Sequence, residues 1–513
     1  MTISAQSNQT RQTVELLREP SVVTKDQEGT YAKECLLTGP YAARRGSHTE
    51  RLSIGLVGTY NLIDLAKEWI ASANSFIESI PARKLESSFD ERRHKLLFPD
   101  FPGCAIAFCK TLIVEPEFEA KLTINEIAEL GGLKPEDYAG KLESLIEQRI
   151  KNMIGLAEGK LDVIIILLTD DMYETCHIVG DYHKRLKPEP EAESQQLDLF
   201  SDFDKLSLDI DPRKVEPLSH NFRSRLKKIA MNPEYGVPIQ IIREQTLRGK
   251  GTQNLATRTW NLFTGLYYKA GLMPWILGGL DAKTCFLGVS FYHKKTASRD
   301  LVLSSMSHLF ANDFNSLILR GEQVAYDYAL KSPVLTADSA NGIAERALQE
   351  FHSARNAYPS RVVVHKTSRF NADEISGFQA AFRSAHLAFD LVSLIKSPLR
   401  ITRWGQYPVP RGTALISGDN HAHLYTKGFI PELQTYPGSH VPSPFEIYKA
   451  RGDSSIKTIC SEILSLTKLN WNTADFCCGV PITVSFARNV GEVFKEFDDS
   501  ASYEPSRYFR FYM

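Results

Sequence analysis

Apolar residues in this chain fall into two rhythms: unbroken β-branched runs, and stripes at three-to-four spacing. Residues 52–58 (LSIGLVG) read as a buried strand. Residues 60–77 follow with Leu62, Leu65, Trp69 and Ile70 at helical spacing, so the pair predicts an α/β unit. Leu142, Leu145, Ile146, Ile150 and Met153 make a second stripe. The run at 161–169 (LDVIIILLT) then suits a central parallel strand covered on both faces. From Ser219 the pattern predicts a helix over 219–231, a strand over 238–243 and a helix over 253–270, with Gly271 as C-cap. Residues 273–279 (MPWILGG) read as a linker between domains. Beyond it, 284–290 (TCFLGVS) and 361–365 (RVVVH) predict core strands, and 337–357 and 373–384 predict helices. From Pro408 the chain is rich in Pro, Gly and aromatics with short strands, and 481–487 is a strand or a helix entry. Residues 1–30 are polar and expected to be loosely held.

With 513 residues, 43% hydrophobic and 24% charged, the chain is an ordinary globular protein with room for two to four cores. A net charge of −1 argues against a protein that coats nucleic acid, but permits a focused basic channel. The charge is unevenly spread. Residues 220–270 hold nine Lys/Arg against two acids, a surplus of +7, whereas 188–211 hold eight acids and one Lys and read as an exposed acidic loop. The eight cysteines (Cys35, Cys104, Cys109, Cys176, Cys285, Cys460, Cys477, Cys478) form no CxxC pair, which fits reduced thiols in the cytoplasm. The N-terminus has no signal-peptide apolar stretch, and no apolar run reaches the ~18 residues of a membrane span.

The basic window has the chemistry of a phosphate site, which needs several charge-assisted donors on one point. His220, Arg223 and Lys227 share one face of the 219–231 helix, with Phe222, Leu226 and Ile229 on the other. Gln240 lies in the next strand and can donate an amide, and Lys269 ends the next helix. A solvated basic helix face is the plainer alternative. Arg248–Thr252 (RGKGT) faintly resembles a phosphate loop without its spacing, which keeps a guide-free nucleotide-binding or scaffold protein in view.

The order HNFRSRLKKIAM, VPIQIIREQTL, NLFTGLYYKAG–MPW resembles the MID domain of Argonautes. That family grips a guide strand's 5′-phosphate, and the matching residues here are Arg223, Lys227, Gln240 and Lys269, with His220 as an addition. Many relatives carry a further Lys four residues before the last one, where this chain has Gly265. CFLGVSFYHK, SRVVVHKTSRFNADEISGF and the segments after Tyr407 resemble a PIWI domain, a ribonuclease-H-like fold. The resemblance implies an α/β architecture: residues 1–40 as an extension, 41–277 as a MID domain with a Rossmann-like parallel sheet, and 278–513 as a PIWI domain. It also implies Mg²⁺ beside the phosphate, held by Gln240 and the terminal carboxylate of Met513.

Two-metal hydrolysis needs clustered carboxylates. At the family's catalytic positions this chain places Ser290 and Lys366, and the last ligand position falls around Lys427. Asp300, Glu322 and Asp419 are acids without the family placement, and His421 and His423 read as surface histidines in a turn. The expectation is a chain that does not cut. The resemblance is closest to the short prokaryotic Argonautes, which consist of MID and PIWI only. It implies a small RNA guide, a complementary single-stranded DNA target, and a partner carrying an APAZ region fused to a TIR, sirtuin-like or nuclease effector in defence against plasmids or phage. The alternative is that this chain is itself a guide-dependent nuclease.

Overall fold

The computed structural model describes residues 12–45, 50–81, 87–157, 161–178, 221–251, 253–295, 301–310, 316–327, 332–402, 404–405, 407–438, 440–485, 487–497 and 502–513. The acidic segment 188–211, His220 and Asp300 lie outside these residues.

The Val163–Leu168 strand is buried along its whole length. It runs parallel to Arg51–Thr59 on one side and to Ile239–Arg243 on the other. Thr111–Ile113 and Glu119–Leu122 also pair parallel with Arg51–Thr59, completing a five-stranded parallel sheet. Successive side chains of a strand point to opposite faces. Val163, Ile165 and Leu167 therefore pack with Ile63, Trp69 and Trp260 from the helices Tyr60–Ala73 and Leu255–Lys269. Ile164, Ile166 and Leu168 pack with Ile146 and Ile150 of Pro135–Ala157 and with Leu226 of Phe222–Ala230.

The second sheet has nine strands. Towards one edge Thr284–Lys295 is antiparallel to Leu301–Phe310, which is antiparallel to the edge strand Leu317–Gln323. On the other side it is parallel to Arg361–Lys366, itself parallel to Ala388–Lys396. Three antiparallel strands followed by two parallel ones give the mixed sheet expected of a ribonuclease-H-like fold. The helices Ala337–Arg355 and Ala372–Ser384 cover one face through Ile343, Phe351 and Phe378. The other face belongs to the same apolar core as the helices of the parallel sheet. Tyr268 of one half stacks on Trp471 of the other, with centroids 4.3 Å apart.

Several expectations need correcting. The helix expected over 60–77 stops at Ala73, because Asn74 turns its amide to the backbone of Leu112, accepting from its N–H at 2.9 Å and donating to its carbonyl at 3.1 Å. Residues 273–279 are no loose linker: Trp275 is buried and Ile276–Leu277 pairs with the Val22–Val23 strand. Ile456–Leu466, a helix without a stated expectation, packs Ile459, Ile463 and Leu464 into the core. Residues 481–487 open with a helical turn, Ile482–Ser485.

The described part of 1–30 is anchored, not loose. Gln12–Leu16 adds an edge strand to the nine-stranded sheet. Glu19 then meets two buried cations, with Arg411 Nε at 3.0 Å and Lys468 Nζ at 2.6 Å. Burial alone would raise the Glu19 carboxyl, but Arg411 and Lys468 hold it below the usual range. Such a group adds stability above the ordinary carboxylate pKa, and that stability is lost as pH falls through the lowered value. Glu19→Gln strands two buried charges and is expected to cost about 3 kcal/mol, read from urea unfolding midpoints. The gap to the parent should close as the medium is acidified.

Candidate nucleic-acid interface

The Phe222–Ala230 helix begins where the Asn221 side chain accepts from the N–H groups of Arg223 and Ser224. Phe222, Leu226 and Ile229 are buried, as the helical spacing requires, which turns Arg223 and Lys227 away from that core. Arg223 is exposed and Lys227 half-buried. Lys227 Nζ donates to the Tyr512 carbonyl at 2.8 Å, beside buried Met513. Gln240 sits in the Ile239–Arg243 strand, at the sheet edge. Lys269, the last residue of Leu255–Lys269, is buried and donates to Gln240 Oε1 at 2.6 Å and to the Ile239 carbonyl at 2.8 Å. Three segments and the far end of the chain thus converge.

The partners of Lys227 and Lys269 found among the described residues are all neutral oxygens. Burial, with the Arg223 guanidinium nearby, pushes Lys227 down to about 7. Burial, then Lys227 and Arg223, puts Lys269 well below the ordinary lysine range. Other cations of the window are spoken for. Arg225 pairs with Glu143, Arg243 with Glu174 at 2.9 Å, and Arg248 with Glu244 at 2.7 Å. Lys228 donates to the Glu496 carbonyl at 2.7 Å and Arg258 to the Thr246 carbonyl. Three of the nine cations thus pair with acids and two donate to carbonyls, while Arg223, Lys227 and Lys269 act on one another. An anion brought to these three would restore the charge that burial suppresses. In place of a phosphate loop, Arg248 ends the Glu244–Arg248 helix, tied to Glu244, and 249–251 form a turn with Gly249 and Gly251 at positive φ.

Gln240 Oε1 already accepts from Lys269. The described side chains therefore offer a divalent ion one shared amide oxygen beside three cations, and such an ion would enter only with a ligand's own phosphate oxygens.

In the second half, Ser290 and Lys366 are both buried, but they face opposite ways. The parallel register sets Lys366 beside Val289. Alternation therefore puts Lys366 on the Val289 face, away from Ser290. The two positions expected to be degenerate thus do not share a face of the sheet. Lys366 Nζ instead donates to Glu374 Oε1 at 2.6 Å. Glu374 also accepts from the N–H groups of Leu335 and Asn371, each at 3.0 Å. Lys427 is buried over Gly479. Asp419 is exposed. His421 and His423 are half-buried in the His421–Leu424 strand, not in a turn, and His421 lies 3.0 Å from Glu446.

No protein-family model matches the chain. By sequence it is 25% identical over 281 residues to the protein argonaute of Aquifex aeolicus (strain VF5), which takes in 51% of this chain and 34% of that protein. By structure it is similar to Clostridium butyricum Argonaute bound to a guide DNA and a 19-mer target DNA, with TM-score 0.60, 14% identity, and 94% of this chain and 53% of that one covered. It is also similar to Marinitoga piezophila Argonaute in complex with a 5′-OH guide RNA, with TM-score 0.51, 12% identity, and 98% and 59% covered. The chain is Argonaute-like in sequence and in fold. It spans a little over half the length of these solved Argonautes and about a third of the curated relative.

The Argonaute-like fold thus brings together Arg223, Lys227, Gln240 and Lys269. His220 lies outside the described residues. Gly265 is buried, and a Cβ there would sit 3.7 Å from the Trp471 carbonyl, so that helix face serves the packing of the two halves. Asn221 and the Tyr512 carbonyl were missed. An Asn ahead of a basic amphipathic helix is a cap signal, whereas a backbone contact 285 residues away leaves no local trace.

The depressed lysines give a pH signature. In the ligand-free protein their neutral forms add stability above the ordinary lysine pKa, and it is lost as pH falls through the lowered values. An anion favours the charged form, so binding above neutral pH takes up protons. Affinity for a 5′-phosphorylated oligonucleotide is expected to fall by up to about tenfold per pH unit above neutral. Calorimetry in buffers of different ionisation enthalpy reads the uptake directly, and a 5′-hydroxyl oligonucleotide should show none.

Proposed function

We propose that this chain is a guide-binding Argonaute subunit that does not itself cut. Arg223, Lys227, Gln240 and Lys269 hold the 5′-phosphate of a small RNA guide, with His220 alongside. The guide pairs with complementary single-stranded DNA, so base pairing reads the sequence while the protein holds the backbone. The observation that carries the reading is buried Lys269 beside half-buried Lys227, whose partners among the described residues are neutral oxygens. A terminal phosphate is the dianion that such a site is short of. Mg²⁺, when bound, would neutralise phosphate charge, with Gln240 and the Met513 carboxylate as its protein ligands.

Two features support a silent second half. Ser290 offers a hydroxyl where metal-assisted hydrolysis needs a carboxylate. The resemblance puts Lys366 at a second such position, and its ammonium is tied to Glu374 at 2.6 Å. In this reading the chain is of the short MID–PIWI kind. On target pairing it activates an APAZ-containing partner with a TIR, sirtuin-like or nuclease effector, in prokaryotic defence.

Co-expressed with its neighbouring gene product, the protein should carry 5′-phosphorylated short RNA. Lys227→Ala with Lys269→Ala should reduce the bound RNA at least tenfold, measured by end-labelling of extracted nucleic acid. Undiminished RNA would sink the pocket. With Mg²⁺ or Mn²⁺, the guide-loaded chain should leave a complementary DNA intact; a guide-dependent product would instead favour the nuclease reading. Chelation with EDTA should release only a minor part of the guide, because the three cations stay in place.

A further inference from the structure

Residues 396–411 (KSPLRITRWGQYPVPR) contain four cations and no carboxylate. They join the strands Ala388–Lys396 and Thr413–Ser417, which lie apart in the nine-stranded sheet. The base of the segment is firmly held. Ser397 N–H donates to the Pro444 carbonyl at 3.3 Å, Ile401 N–H to the Tyr425 hydroxyl at 2.7 Å, and Phe429 N–H to the Val409 carbonyl at 3.0 Å. Arg411 closes it, buried against Glu19.

On this anchored base Trp404 stands fully exposed, whereas Trp69, Trp260, Trp275 and Trp471 are buried. Tyr407 is more than half exposed, and Arg400 is exposed. Arg400 and Tyr407 both lie near enough to the Tyr425 hydroxyl to act on its ionisation. An indole left wholly in water forgoes one of the largest burial gains open to a side chain. Here that exposure coincides with a segment of one charge sign.

We propose that Trp404, Tyr407 and Arg400 form a stacking platform for single-stranded nucleic acid, built on different elements from the lysine pocket. Charge decides the occupant: Arg411 is matched by Glu19, but the rest of the segment brings Lys396, Arg400 and Arg403 with no acid of its own, which favours a polyanion, and a planar ring beside them accepts the face of any base. Bases in a duplex are already covered by their neighbours, so the strand must be unpaired at this point. The platform does not depend on the 5′-phosphate reading and would hold if that reading failed.

Because the other four tryptophans are buried, emission quenchable by acrylamide reports on Trp404 alone. The probe is a 5′-hydroxyl oligodeoxythymidine, which cannot offer a terminal phosphate to Lys227 and Lys269. Titrated into the full chain, it should shield Trp404 from acrylamide and lower the emission. Trp404→Ala, a change at a fully exposed side chain, should abolish the signal and weaken binding about tenfold by fluorescence anisotropy of a labelled strand. Trp404→Phe should recover part of that affinity. The Lys227→Ala, Lys269→Ala protein should keep the full response, which separates this platform from the pocket. Unchanged quenching with the oligonucleotide, equal affinity of Trp404→Ala and parent, equal protection by a blunt duplex, or protection only by a purified protein partner would each overturn it.

Discussion

The guide pocket proposed for this chain depends on two ammonium groups, one buried and one half-buried, whose partners among the described residues include no carboxylate. Elsewhere in the molecule three buried lysines meet carboxylates. Lys366 has Glu374 at 2.6 Å, Lys468 has Glu19 at 2.6 Å, and Lys33 has Asp475 at 3.8 Å. Lys227 and Lys269 have carbonyls and an amide. Desolvating a charge costs several kcal/mol, and neutral dipoles offset only part of that. Both lysines lie in the last turn of their helices, where the helix dipole favours cations. The same dipoles repel an anion, so attraction for a phosphate has to come from the side chains themselves.

The pocket is also a seam between the two halves. Lys227 reaches Tyr512, Lys228 reaches the Glu496 carbonyl, and Asn221 N–H donates to Glu496 Oε1 at 3.1 Å. One apolar core runs beneath these contacts, with Trp260 and Trp471 as members. The geometry of the anion site is therefore set by how the parallel sheet packs on the mixed one. A change in either half would be felt at the lysines before it was felt in the strands.

In the mixed sheet, a single residue of register separates two accounts of the same strand. Lys366 beside Val289 faces the helices, where Glu374 ties it to the starts of two helical segments through Leu335 and Asn371. Ser290, one residue on from Val289, faces the other way. The lysine is thus an internal strut of the helix-covered face. Motif reading places it in the catalytic row only because strand alternation is invisible until the pairing is known.

The sequence by itself determined the elements whose pattern is strong and local. The run LDVIIILLT suited a strand covered on both faces, which it is, and the stripe of Phe222, Leu226 and Ile229 indicated which side of its helix would be buried. Arg223, Lys227, Gln240 and Lys269 were legible because motif order names them. What only the tertiary structure decided is which charges remain unmatched. Arg225, Arg243 and Arg248 look as available in the sequence as Lys227 does, yet each finds an acid once the chain folds. Their pairing depends on Glu143, Glu174 and Glu244, and two of those lie far off in the chain. Coulomb interactions act through space at a few ångströms, and distance along a sequence carries no information about them.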